Sequence, residues 1–119
     1  MSKKRKNPKP PMGEIIEIIP LLNLEKFKEH RRLQTFYHKG CQCVVPGCNR
    51  IGTKLIRHQF KKGDIHVDLF TEDNHLMTVD HIIPKSKGGQ NHLDNYQPMC
   101  QEHNTLKGSK KQEDFIKQY

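Results

Sequence analysis

Tryptophan is absent from this chain, aromatic residues make up only 7% of it, and 33% of its 119 residues are apolar. So thin a supply of large apolar side chains leaves room for one small core, and a domain of this kind commonly needs a metal or a partner chain to hold together. No apolar run approaches the length that crosses a bilayer, which argues against a membrane protein. The basic N-terminus has no apolar segment behind it of the sort a signal peptide carries. A cytoplasmic protein of a bacterial or phage-infected cell is therefore expected. Cysteine is sparse as well, and four cysteines in a reducing compartment point to metal rather than to disulfides.

Acidic residues are outnumbered, 13 against 21 Lys and Arg, giving a formal charge of +8. The excess is spread in patches. Lys3, Lys4, Arg5, Lys6 and Lys9 crowd the start, Arg50, Lys54, Arg57, Lys61 and Lys62 form a second group, and Lys85, Lys87, Lys107, Lys110 and Lys111 a third. Any single lysine is explained by solubility. Basic residues in this many places suit a polyanion, and DNA is the partner expected.

Residues 1–12, MSKKRKNPKPPM, are basic and Pro-rich with nothing to bury, and are expected to be disordered. Residues 13–119 read as one domain. Ile15, Ile16, Ile18 and Ile19 suggest an edge strand stopped by Pro20. A helix is expected over 23–38, ending at Gly40, although Leu24, Phe27, Leu33, Phe36 and Tyr37 follow helical spacing only in part. Residues 41–52 hold a Pro46-Gly47 reversal. An antiparallel meander is expected over 53–83, with strands at 53–60, 65–70 and 75–83. A short helix follows over 101–107, and Ser109 with Gln112 resembles the capping box of a last helix over 109–119, with Phe115 and Ile116 docking on the body.

The polar residues of the second half are arranged unusually. MTVDHIIP puts an ionisable pair, Asp80-His81, inside a strand-like apolar run. Asp80 and Asn104 offer oxygen ligands for a hard cation such as Mg²⁺, and His81 is an imidazole able to take a proton from water. That set suits phosphodiester hydrolysis. Residues on a regular strand alternate faces, so Asp80 and His81 share a site only if the strand bends or the cation sits past its end. Cys43 and Cys48 bracket the Pro-Gly turn, and Cys100 and His103 stand three apart at a helix start. Together they supply the four ligands of a structural zinc site. Cys41 is left as a free thiol, and His58, His66 or His75 could substitute for His103.

The stretch MTVDHIIPKSKGGQNHLDNYQPMCQEHNTLKG closely resembles the HNH endonucleases. The DHI-x-P-x-S-x-GG opening, the DN and the C-x2-H-N-x2-KG close occur together and in order. The resemblance implies an α+β fold: a ββα-metal core over 76–108, a zinc-knuckle scaffold over 41–52, the short meander and flanking helices. It implies that His81 is the general base, that Asp80 and Asn104 bind the catalytic Mg²⁺ or Mn²⁺, and that Asn95 hydrogen-bonds backbone near His81 and holds its ring. It further implies DNA cleavage to 5′-phosphate and 3′-hydroxyl ends. Asn104 in place of a third-letter histidine favours Mg²⁺ over softer ions. Lys85, Lys87, Lys107, Lys110 and Lys111 are the candidates for phosphate contact. A lone minimal domain suits nicking, and double-strand cutting would call for a homodimer or a partner protein. The competing expectation is a non-catalytic zinc module that binds nucleic acid, or an accessory subunit of a larger nuclease complex.

Overall fold

The computed structural model describes residues 12–119. The basic segment 1–11 lies outside the described residues, and with it nearly all of the expected disordered tail. The architecture is α+β, with a three-stranded and a two-stranded antiparallel sheet and short helices around one core.

Strand β1 (Glu14–Pro20) pairs with β2 (Lys54–Gln59), which pairs with β3 (Ile65–Phe70), giving the order β1-β2-β3. The isoleucines of β1 favour extended backbone because their branched side chains crowd a helix. Only Ile19 among them is buried, and Glu17 pairs with Arg57 across the register. A 3₁₀ turn (Leu21–Phe27) and a six-residue helix, α1 (Gln34–Lys39), stand where one long helix is expected. The chain turns at His30, whose carbonyl accepts from both Leu33 and Gln34. The break follows from the imperfect apolar spacing: Leu24, Leu33 and Phe36 reach the core only if the segment bends between them. Gly40 ends α1 with φ at 95°, as its position after the last apolar residue predicts.

The meander is interrupted after its second strand. β4 (Met77–His81) is not laddered to β3, the two being linked by an isolated bridge from Phe70 to Leu76 just before β4, and its ladder partner is β5 (Tyr96–Cys100). Strand β5 carries no strand signal in its residues because Pro98 lies in its middle, and proline cannot donate to a ladder. The strand tolerates it: the Pro98 carbonyl accepts from Val44 N, so the knuckle segment lies along β5's outer side. Helix α2 (Gln101–Lys107) occupies the expected span. Helix α3 (Gln112–Ile116) starts later than the capping box requires, with Lys111 as N-cap and no side-chain cap. Gln112 instead accepts a hydrogen bond from Gln97 Nε2 at 2.9 Å.

Leu24, Leu33, Phe36, Val45, Leu55, Leu69, Met77, Met99 and Phe115 form one buried cluster that receives side chains from both sheets and from α3. No described helix is long and apolar enough to cross a membrane. Phe115 is fully buried from a helix of five residues. Phe115→Ala is expected to cost about 3–5 kcal/mol through lost transfer energy and the cavity left behind. Denaturant unfolding measures it, and a loss under 1 kcal/mol would mean that α3 is not anchored through this ring.

Candidate metal cluster and active-site cleft

The first site grows out of a turn. Val45 to Cys48 is closed by Cys48 N donating to Val45 O at 3.0 Å, with Pro46 and Gly47 in the centre. Gly47 has φ at 82°, the value a type II turn demands at its third residue and one that glycine adopts without steric cost. Cys43 N donates to Arg50 O and Gly52 N to Cys41 O, so the segment folds back on itself and brings Cys43 near Cys48. On the other side of the core, Cys100 caps α2 and His103 follows one turn later on the same helix face.

The ligand atoms of Cys43, Cys48, Cys100 and His103 all lie within 4.8 Å of one another. His103 Nδ1 is 3.3 Å from Cys100 Sγ and 3.7 Å from Cys43 Sγ. Tetrahedral zinc at ordinary bond lengths separates such atoms by roughly 3.5 Å. The donor set therefore fits zinc, and His58, His66 and His75 stand outside it. Cys41 also stays outside, with burial raising its thiol pKa.

Burial pushes the Cys43 thiol up to about 12. Burial acts the same way on Cys100, but the His103 backbone N–H and the Arg50 guanidinium outweigh it and hold that thiol below its ordinary value. Arg50 Nη1 is 3.7 Å from Cys100 Sγ and 2.6 Å from Glu102, whose carboxyl it holds low. Three thiolates around a divalent ion carry one net negative charge, which this guanidinium would offset. The His103 ring is packed edge-on against Phe115 of α3 and Tyr119 just beyond it.

The second site is a cleft of about 290 Å³ lined by Asp80, His81, Pro84, Lys85, Ser86 and Asn104, among others. Asp80 and His81 thus border one space although they are neighbours on a strand. The reason is the end of β4. Lys107 is fully buried, and its Nζ donates to Asp80 Oδ2 at 2.6 Å, to His81 O at 2.9 Å and to Ile82 O at 3.3 Å. These contacts hold two successive carbonyls to one ammonium as the chain leaves the ladder. Gln97, opposite Asp80 in the register, donates to the same Oδ2 at 2.9 Å.

Lys107 as a phosphate contact is thereby overturned. An ammonium ion has three donors, all three are engaged, and none reaches solvent. Lys85, Lys87, Lys110 and Lys111 are exposed, and Lys85 alone of these lines the cleft.

His81 Nε2 lies 2.8 Å from Asn91 Oδ1, and its ring meets Tyr96 edge-on at 5.1 Å. A carboxamide oxygen only accepts, so Nε2 is the donor in this contact, and in the neutral ring Nδ1 then carries the lone pair. Asn95 is a backbone clamp. Its Oδ1 accepts from Ile83 N at 2.9 Å, and its Nδ2 donates to Ile83 O and Gln90 O at 3.1 and 3.0 Å. Gly89 lies beneath it, where a Cβ would come 1.7 Å from Ile83 O, so no larger residue fits. Asn104 Nδ2 donates to Thr78 Oγ1 at 2.8 Å, which leaves Oδ1 as the atom available to a ligand. Asn91 and Gln97 were not distinguishable in the sequence, since one lies in a glycine-rich loop and the other in an unrecognised strand.

Residues 70–119 match the family model of the HNH endonucleases. The matched HNH segment contains β4, β5, α2 and α3, and therefore every residue named in the cleft, while Cys43 and Cys48 come from outside it. Comparison with curated proteins and with solved structures finds no match. The HNH segment points to nuclease-type chemistry on nucleic acid and to a divalent metal.

If the cluster holds a metal that ties the knuckle to α2, chelation must loosen both. Removal of metal by a strong chelator, or Cys100→Ala, is expected to lower the melting temperature by 10 °C or more for a chain of this size. Calorimetry with metal analysis checks it, and an unchanged melting curve after complete metal removal would count against a structural role.

Proposed function

We propose that this protein is a metal-dependent HNH endonuclease that hydrolyses DNA phosphodiester bonds, with β4, β5 and α2 as its ββα-metal core and residues 13–119 as one domain. The observation that carries the reading is the convergence of Asp80, His81 and Asn104 on one cleft inside the HNH segment. A purely DNA-binding zinc module has no need of that convergence.

Asp80, through the oxygen that Lys107 and Gln97 leave unused, and Asn104, through Oδ1, would hold a Mg²⁺ or Mn²⁺ ion. Both are hard oxygen donors, and such an ion completes its shell with water and substrate phosphate. When bound, it would supply neutralisation of the charge that builds on the phosphate. His81 Nδ1 takes a proton from water as the water oxygen attacks phosphorus. The bond from phosphorus to the 3′ oxygen breaks, and solvent returns a proton to that oxygen. Asn91 keeps the base in the tautomer with Nδ1 free, and Asn95 maintains the loop that carries Asn91. Lys85, which lines the cleft, and Lys87 share one 3₁₀ turn, and their exposed ammonium groups can meet backbone phosphate. Zinc in the Cys43, Cys48, Cys100 and His103 cluster would be structural.

His81→Ala is expected to reduce plasmid cleavage by at least 10²-fold, the low end of what a positioned general base contributes, with the fold intact. Supercoiled plasmid with Mg²⁺, Mn²⁺ or EDTA reads this directly, relaxed circles reporting nicking and linear product double-strand cutting. A folded His81→Ala protein that cuts at the wild-type rate would eliminate this base. Asn91→Ala should lower the rate by a smaller factor, about tenfold, because it frees the tautomer without removing the imidazole.

A further inference from the structure

Asp80 is the one carboxylate among the residues lining the cleft, and its charge is already matched. Lys107 Nζ sits 2.6 Å from its Oδ2, with side-chain exposures of 0% for the lysine and 5% for the aspartate. Asn104 is neutral, His81 carries no negative charge, and exposed Lys85 adds a positive one. Before any ligand arrives, the cleft therefore presents no net negative charge to a cation. A divalent ion approaching Asp80 also meets the repulsion of the Lys107 ammonium, and burial keeps solvent and salt from screening it. A phosphodiester brings the charge that the cleft lacks.

Building on the reading of Asp80 and Asn104 as cation ligands, we propose that the cleft takes up its divalent cation together with a nucleic-acid phosphate rather than before it, and that Lys107 enforces this order by neutralising Asp80. Binding of the cation and of the phosphate is then one coupled event, and each ligand tightens the other by the same factor. Lys107 acts here as a positioning residue. It touches no substrate, and it sets both the orientation of Asp80 and the charge that the cation meets.

The test measures Mn²⁺ binding directly by electron paramagnetic resonance. It uses the full chain already loaded with zinc and carrying His81→Ala, so that a DNA duplex stays intact. The duplex alone is titrated as a control. Without duplex the cleft is expected to bind Mn²⁺ weakly, and with saturating duplex at least tenfold more tightly. Equal affinity in the two conditions overturns the coupling. Adding Lys107→Met is expected to tighten duplex-free Mn²⁺ binding at least tenfold, and a folded variant with unchanged affinity overturns the role given to Lys107. Should that variant fail to fold by circular dichroism, Lys107→Gln, which keeps an N–H donor without the charge, takes its place and is held to the same expectation. Adding Asp80→Asn should abolish the duplex-dependent gain. Mn²⁺ bound as tightly without the Asp80 carboxylate would instead refute the cation reading itself.

Discussion

The ammonium group of Lys107 is the interaction on which the HNH segment depends. An unpaired charge in a core is costly, and removing one partner of a buried pair typically destabilises by about 3–5 kcal/mol. The chain therefore has to deliver Asp80 Oδ2 and the carbonyls of His81 and Ile82 to one point, and α2 has to lie where its last turn reaches them. Asn104 stands three residues before Lys107, so the same placement turns it toward Thr78 and the cleft. One buried charge thus sets the end of β4, the tilt of α2 and the distance between the cleft's two walls.

The seven residues of α2 serve two sites because a helix turns about 100° per residue. His103 faces the cysteines while its neighbour Asn104 faces the cleft. The Cys43, Cys48, Cys100 and His103 cluster joins a segment before β2 to the helix after β5, across a core that contains no tryptophan. A metal there would do for this small fold what a larger apolar interior does elsewhere. Helix α3 and the residues after it belong to the same device, since Phe115 and Tyr119 pack edge-on against the His103 ring.

Much of this was legible in the residues because it is local. The Pro46-Gly47 turn, the Gly40 helix stop and the span of α2 each follow from backbone preferences of a few neighbouring residues. Strand β5 was not legible, because its proline speaks against a strand and only the knuckle alongside makes it acceptable. The helix expected over 23–38 broke at His30 because burial of Leu24, Leu33 and Phe36 outweighed local helical preference. Lys107 misled for a related reason. A lysine in a basic stretch normally lies in solvent, and nothing local announces that this one points into the core.

The sequence by itself determined the inventory: which side chains could serve metal or proton transfer, the cysteines and histidines from which a cluster could be drawn, and the HNH pattern that orders them. Those are matters of residue type and spacing, which no folding alters. Only the tertiary structure decided that Asp80 and His81 border the same cleft, which nitrogen of His81 is left free, and that Asp80 already has a cationic partner. Each of these depends on a contact across at least ten residues of chain, to Lys107, Asn91 or Gln97. Contacts of that range arise from packing, and a strand's own alternation would have put Asp80 and His81 on opposite faces.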